Sequence, residues 1–222
     1  MTTRILLVDD HRLLRESLRS ILESDAEFSV IGEADSGREA VRLARELQPD
    51  VVVMDVAMRD MNGIEATRQI CAEGSAIKVV ALSSHSDRRY VHAILDAGAS
   101  GYVLKANAYD DLRRSFEAVL LGRKYLCAEV TGDVVDAARQ APHEASVHEV
   151  LGPREREVLQ LLAEGHTSSE IAVHLSVATS TVETHRRNLM RKLGLHNVAE
   201  LTKYAVREGL TSLDAPASRV ES

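Results

Sequence analysis

Between residues 4 and 121 the chain alternates short apolar runs with segments whose apolar residues recur at i, i+3, i+4 and i+7. The runs are Ile5–Val8, Ser29–Ala34, Val51–Met54, Ile77–Leu82 and Gly101–Leu104. One helical segment carries Leu13, Leu14, Leu18, Ile21 and Leu22; another carries Ala40, Val41, Ala44 and Leu47; the last carries Leu112, Phe116, Val119 and Leu120. Five strand–helix repeats with near-continuous apolar strands predict a parallel sheet covered on both faces. Right-handed crossovers then give a doubly wound, five-stranded α/β domain in the 2-1-3-4-5 order. After Tyr125 the pattern lapses, and residues 131–150, rich in Ala, Asp, Glu and His and containing Pro142, read as a partly helical linker. From Leu151 to Leu210 the signal is all helical, with Gly165 and Gly194 at plausible helix ends. The expected organisation is an α/β domain over 1–125, a linker over 126–150, an all-α domain over 151–210 and a flexible polar tail over 211–222.

Composition narrows the possible chemistry. Of 222 residues, 45% are hydrophobic and 27% charged, with 5 Tyr, 2 Phe and no Trp. The core must therefore be aliphatic, and a base-stacking surface for single-stranded nucleic acid, which needs exposed rings, is excluded. Cys71 and Cys127 make no disulfide framework and have no metal-ligand spacing, so both read as small hydrophobes in a reducing compartment. The N-terminus runs straight into an apolar strand, unlike a signal peptide, and no apolar stretch approaches the ~20 residues that span a bilayer. A soluble cytoplasmic protein with no membrane partner is expected. The net charge of −7 argues against a DNA partner until it is resolved along the chain. Residues 1–147 carry −6, residues 148–210 carry zero and the tail −1, so the acidity lies outside the helical half.

Each apolar run ends in a chemically useful residue. The first ends in Asp9 and Asp10, the third in Asp55, the fourth in Ser83, and the fifth in Lys105. In a parallel sheet these carboxyl ends share one rim, where doubly wound folds bind ligands. Three carboxylates brought together there repel by roughly 4 kcal/mol per close pair at intermediate dielectric. A cation resolves that repulsion, and oxygen-only ligands with open positions suit Mg²⁺. Carboxylate, metal, hydroxyl and ammonium together describe phosphoryl transfer onto an aspartate. The plainer alternative, strand-end aspartates that merely cap the following helices, does not account for all five residues falling on one rim.

In the helical half, Pro153 opens a helix containing Val158, Leu159, Leu161 and Leu162, and Ser168 or Ser169 can cap a second, with Ile171, Ala172 and Leu175 inward. A third helix runs from about Ser180 to Leu193. At 100° per residue it places Val182, Leu189 and Leu193 on one face, with His185 at its edge, and Ser180, Thr184, Arg187 and Arg191 opposite. A fourth helix, Val198–Arg207, packs behind them. Two helices joined by a short turn, the second with a hydroxyl and guanidinium front, predict a helix-turn-helix whose third helix enters the major groove. Residues 179–192 carry a net +3. A solvated surface helix would show the same charge, but not the preceding helix and turn.

Both halves resemble known families. The run Ile5-Leu6-Leu7-Val8-Asp9-Asp10-His11, the loop Asp55-Val56-Ala57-Met58-Arg59-Asp60-Met61-Asn62-Gly63 and the stretch Gly98-Ala99-Ser100-Gly101-Tyr102-Val103-Leu104-Lys105 resemble the flavodoxin-like receiver domain of bacterial response regulators. That resemblance implies Asp55 as phosphoacceptor, Asp10 as direct Mg²⁺ ligand, Asp9 as a ligand through water and the Ala57 carbonyl as a third ligand. It further implies that Ser83 and Lys105 hold the phosphoryl group and that Tyr102 is a switch aromatic. Arg59 and Ala106 stand where the family often has proline. The stretches Pro153–Leu159, Glu170-Ile171-Ala172, Thr181-Val182-Glu183-Thr184-His185 and Lys192-Leu193-Gly194-Leu195 resemble a LuxR-type helix-turn-helix. There the resemblance implies that Glu183, Thr184 and Arg187 approach base edges, and that Ser180, Thr181, Arg186 and Arg191 lie near phosphates. Asn or Lys is common in the family where Ser168 and Ser169 stand.

The whole chain is therefore similar to NarL/FixJ-class two-component response regulators. The expected function is a phosphoprotein that accepts a phosphoryl group on Asp55 from a sensor histidine kinase and controls transcription by binding double-stranded DNA as a homodimer. It would not be an enzyme beyond catalysing its own phosphorylation and dephosphorylation. A phosphorylation-independent DNA-binding regulator with a vestigial receiver is the alternative. A phosphatase of the haloacid-dehalogenase type, also built on a nucleophilic aspartate, fits poorly: Ala57 stands where a second aspartate belongs.

Overall fold

The computed structural model describes residues 2–72, 76–84, 86, 88–132 and 150–211. The chain forms two compact units, residues 1–141 and 142–222. In the first unit, strands β1 (Thr3–Val8), β2 (Phe28–Ala34), β3 (Val51–Asp55), β4 (Lys78–Ser83), β5 (Gly101–Leu104) and β6 (Tyr125–Leu126) make one sheet in the order β2-β1-β3-β4-β5-β6. All five pairings are parallel. Helices α1 (Arg12–Glu23), α2 (Gly37–Leu47), α3 (Gly63–Ala72), α4 (Arg88–Asp96) and α5 (Ala108–Leu120) connect them, with one 3₁₀ turn at Lys105–Asn107.

Strand periodicity explains the layering. Along β1, Ile5 and Leu7 point into a core shared with Leu18 and Leu22 of α1 and Leu112, Phe116 and Val119 of α5. Leu6 and Val8, one residue out of phase, meet Ala40, Val41 and Ala44 of α2 and Ala66 and Ile70 of α3 on the other face. Each fully buried aliphatic side chain contributes about 1.5–3 kcal/mol. Truncating one at the centre, such as Leu22, would also leave a cavity, for a total near 2–5 kcal/mol.

Two expectations need correction. Leu13 belongs to the apolar set of the first helix by spacing, yet it is 80% exposed, and Ile21 and Leu120 also reach solvent. The buried stripe of α1 runs through Leu14, Leu18 and Leu22, and Leu13 is rotated 100° from it. The sheet also has six strands rather than five. Two-residue β6 pairs Gly101 with Tyr125 and Tyr102 with Leu126, too short to show a period. Residues 128–132 continue as helix, and Cys127 and Val130 pack against Tyr102. Cys127 is thus the buried small hydrophobe expected, while Cys71 is half-buried; both are free thiols. Most of the expected linker (133–149) and nearly all of the expected tail (212–222) lie outside the described residues.

The second unit contains α6 (Pro153–Ala163), α7 (Ser168–Leu175), α8 (Thr179–Leu193) and α9 (Val198–Arg207). Val158, Leu159 and Leu162, Ile171 and Leu175, Val182 and Leu189, and Leu201 and Ala205 form its core, one contribution from each helix. Pro153 opens α6, while Gly165 and Gly194 follow α6 and α8 at φ +95° and +65°. The cap of α7 is Thr167, not Ser168 or Ser169. The Thr167 side chain accepts from the Glu170 N–H, and Glu170 reaches back to the Thr167 N–H at 2.7 Å, so the residue three before the glutamate takes the position. Among the described residues no helix is long and apolar enough to cross a membrane.

Candidate functional site

The parallel sheet delivers its strand ends to one rim of the first unit. Asp9 and Asp10 follow β1, Asp55 closes β3, Ser83 closes β4, and Lys105 follows β5. Asp9 and Asp55 are 1% and 2% exposed, and Ser83 is fully buried. The Lys105 Nζ lies 2.7 Å from Asp9 Oδ2 and 2.9 Å from Asp55 Oδ2, so one ammonium bridges two buried carboxylates. Asp9, Asp10, His11 and Asp55 each bring a donor atom within 4.8 Å of the others. The loop after Asp55 folds tightly over it: the Ala57 N–H donates to Asp55 Oδ1 at 3.3 Å, and a Cβ on Gly63 would stand 1.9 Å from the Asp55 carbonyl. Only glycine fits that close approach.

Burial pushes the Asp55 carboxyl above its ordinary value, and the neighbouring Asp9 adds to this, with Lys105 pulling the other way. Burial disfavours the Lys105 ammonium, but Asp55 and Asp9 more than offset it, so its proton is held more tightly than usual. Lys105, even with the exposed Arg59 guanidinium 3.7 Å from Asp10, leaves the three carboxylates short of balance. The remaining negative charge and the all-carboxylate oxygen donors fit a hard divalent cation such as Mg²⁺.

Two neighbours were absent from the expected site. His11 Nδ1 lies 2.8 Å from Asp10 Oδ1 and 3.1 Å from Asp9 Oδ1, and Arg59 Nε lies 3.7 Å from Asp10 Oδ2. Adjacency to Asp10 pointed to His11; Arg59 is four residues beyond Asp55, on the covering loop. Tyr102 lies apart from the carboxylates. It is wholly buried among Ala81, Val91, Ile94, Cys127 and Val130.

In the second unit, Val182 and Leu189 of α8 are buried, whereas Ser180, Thr181, Thr184, Arg187 and Arg191 are exposed and Glu183, His185 and Arg186 are half-buried. The apolar back and polar front are thus as the spacing predicts. The Arg187 side chain makes no hydrogen bond or ion pair among the described residues. Arg191 donates to Asn188 Oδ1 at 3.2 Å. The Glu183 carboxylate accepts a hydrogen bond from the Ser168 hydroxyl, and Arg186 Nη1 stands 3.9 Å from the same oxygen.

Lys192, one of the positive charges counted on this helix, points elsewhere. Its ammonium lies 2.6 Å from Glu155 Oε2, which also accepts the Gly152 N–H at 2.9 Å. Burial opposes ionisation of Glu155, but Lys192 and the Gly152 N–H outweigh it and hold the carboxyl below its ordinary value. Sequence reading missed this pair because its members are 37 residues apart. Glu155, Glu170 and Glu200 each stand in the first turn of their helix (α6, α7 and α9), and each is held below the ordinary carboxylate value. Helix α8 differs: it has no acidic residue in its first turn and no side-chain cap on Ala178. The Thr181 and Val182 N–H groups bond the Ala178 carbonyl, which leaves the exposed start of the helix, at Thr179 and Ser180, without a built-in anion.

Residues 5–117 match the family described as response regulator receiver domain, and residues 149–205 the family described as bacterial regulatory proteins, luxR family. The transcriptional regulatory protein LiaR of Bacillus subtilis is 41% identical over 209 residues, spanning 94% of this chain and 99% of LiaR. Among solved structures, a LuxR-family two-component response regulator from Aurantimonas superposes with a TM-score of 0.60 at 36% identity, covering 63% of this chain and all of that one. RcsB, in a structure of two dimers bound to two parallel DNAs, superposes with a TM-score of 0.58 at 25% identity, over 94% of this chain and 99% of that one. With a carboxylate rim at one end of a parallel sheet and a four-helix unit behind it in sequence, the chain belongs to the response regulators that join a receiver domain to a LuxR-type regulatory domain.

Proposed function

We propose that the chain is a phosphorylation-controlled transcription factor: Asp55 receives a phosphoryl group from a sensor histidine kinase, and the phosphorylated form binds double-stranded DNA as a homodimer in the cytoplasm. The Lys105 ammonium set between Asp9 and Asp55 carries this reading. It opposes the burial and the Asp9 charge that raise the Asp55 carboxyl, and so favours the ionised carboxylate that nucleophilic attack requires. An Asp55 carboxylate oxygen attacks phosphorus, the N–P bond of a phosphohistidine donor breaks, and the imidazole leaves with the electron pair. The product is an acyl phosphate. Lys105 then pairs with the phosphoryl oxygens, and the Ser83 hydroxyl donates to another of them. Reversal to the free carboxylate needs water to attack phosphorus and release inorganic phosphate; the chain's catalysis is limited to these two self-directed steps.

Asp9, Asp10, Asp55 and the Ala57 carbonyl are the ligands that would hold Mg²⁺, which when bound neutralises charge that builds on the phosphoryl oxygens. Ser83 moving toward the phosphoryl group opens space on the Tyr102 side of β4, and Tyr102 follows, changing the surface that phosphorylation presents. In the helical unit, Glu183, Thr184 and Arg187 face base edges, while Ser180, Thr181, Arg186 and Arg191 meet phosphates. The uncapped start of α8 supports this, since free N–H groups at a helix N-terminus favour a phosphate. The structure of RcsB dimers bound to DNA supports the DNA partner, not the individual contacts.

The test is labelling by a small acyl phosphate with Mg²⁺. Asp55→Asn should abolish it, and phosphorylated wild-type protein should footprint two half-sites that the unphosphorylated protein occupies weakly. Undiminished labelling of the variant would overturn the assignment of Asp55. Footprints indifferent to phosphorylation would return the function to a phosphorylation-independent regulator.

A further inference from the structure

Glu183 is the one acidic residue on α8, which otherwise carries Arg186, Arg187, Arg191 and Lys192. An acid on a face turned toward a polyanion is unfavourable unless it does something specific. Left to itself, this one would not stay free: Arg186 is three residues on and Arg187 four, the two spacings at which a helix brings opposite charges together. A Glu183–Arg187 pair would spend both groups on each other.

The Ser168 hydroxyl prevents this. It sits at the first residue of α7 and donates across the helix-turn-helix to Glu183 Oε1, 15 residues away in sequence. Hydrogen bonds to an ionised acceptor are stronger than neutral ones. The bond draws the carboxylate toward α7 and leaves Arg187 unpaired among the described residues. With Oε1 engaged by Ser168 and flanked by Arg186 at 3.9 Å, Oε2 is the acceptor left to offer. A carboxylate has no proton to donate, so in the major groove it matches the N4 amino group of cytosine and repels the paired acceptors of guanine.

We infer that Ser168 is a specificity-positioning residue: by holding one oxygen of Glu183 it aims the other at a cytosine in each half-site and keeps Arg187 free. This rests on the proposed reading of α8 as the base-contacting helix. Ser168 acts through Glu183 and does not itself read a base.

The experiment is selection from a duplex pool randomised over the half-site, using full-length protein phosphorylated with a small acyl phosphate. Wild type, Ser168→Ala, Ser168→Thr, Glu183→Ala and Glu183→Gln are compared, with thermal melting of each as a control on folding. Wild type should prefer cytosine at one position of the half-site by about tenfold, corresponding to ~1.4 kcal/mol. Glu183→Ala and Glu183→Gln should both lose that preference. Ser168→Ala should cut it to about twofold at that position alone, with melting unchanged, and Ser168→Thr, which keeps the hydroxyl, should restore it. If Ser168→Ala keeps the full preference while Glu183→Ala loses it, the positioning role is overturned and the reading of α8 survives. If Ser168→Ala weakens every sequence equally, Ser168 is structural only, and the inference also fails. A wild-type protein that enriches no sequence would overturn the DNA-binding reading itself and the inference with it.

Discussion

In the first unit the charges that matter are largely withdrawn from solvent: Asp9 and Asp55 are buried, and the half-buried Lys105 lies within 2.9 Å of each behind a tight loop. In the second they stand in solvent, where Arg187 and Arg191 project from a helix whose apolar back alone is fixed by the core. Burial makes each group in the first unit costly to leave unpaired, so the site must be complete at all times and its chemistry is set by near neighbours. Exposure makes each group in the second cheap and individually replaceable, so specificity comes from orientation rather than from desolvation. A buried site suits making and breaking a covalent bond; an exposed one suits reading a surface brought to it.

The sharpest way to break this comparison is to remove the ammonium that two carboxylates share. Lys105→Met should lower the stability of the first unit by about 3 kcal/mol in metal-free buffer, because losing one partner of a buried pair strands the others. Adding Mg²⁺ should recover part of that loss by mass action. Thermal melting with and without Mg²⁺ checks both statements. A variant as stable as wild type in the absence of metal would mean that the carboxylates settle their repulsion by sharing a proton, with Lys105 incidental to the fold.

The matching change in the second unit should leave stability alone. Arg187→Ala should cost ~1–3 kcal/mol of affinity at the preferred duplex and relax base preference there, with melting within about 0.5 kcal/mol of wild type. Equal loss on all duplexes would make Arg187 a phosphate contact and weaken the contrast between the helix front and its flanks.

The two regions were not equally legible in the sequence. Strand ends of a parallel sheet converge by topology, so Asp9, Asp55, Ser83 and Lys105 could be brought together from their positions after successive apolar runs. The alternation of Ile5 and Leu7 against Leu6 and Val8 likewise needs only the period of a strand. Strand β6 escaped because two residues carry no period, and Leu13 was misplaced because a cluster of leucines does not say which of two neighbours lies on the buried stripe. On α8 the faces followed from spacing, but the polar links did not. Ser168 with Glu183, and Glu155 with Lys192, join residues 15 and 37 apart whose meeting depends on how three helices pack. The Thr167 cap was readable after all, from the glutamate three residues later.

The smallest effect concerns the anchor between α6 and α8. Glu155 is held below its ordinary value of 4.5, so its ionised form stabilises the folded unit. That contribution is fully present above the ordinary value and disappears as pH falls through the lowered folded value. Glu155→Gln keeps an acceptor for the Gly152 N–H but cannot pair with Lys192 or titrate. At pH 7 the variant should be less stable by about 1 kcal/mol, a modest figure because the lysine end of the pair is partly in water. As pH drops below 4.5 the wild type loses its advantage and the two curves should converge. Urea titrations followed through amide resonances of α6 and α8, from neutral pH downward, measure the difference. A gap that stays constant with pH would assign the effect to packing around Gly152 rather than to charge. The C-terminus of α8 would then be held much as its front is presented, by shape, with the ion pair adding little.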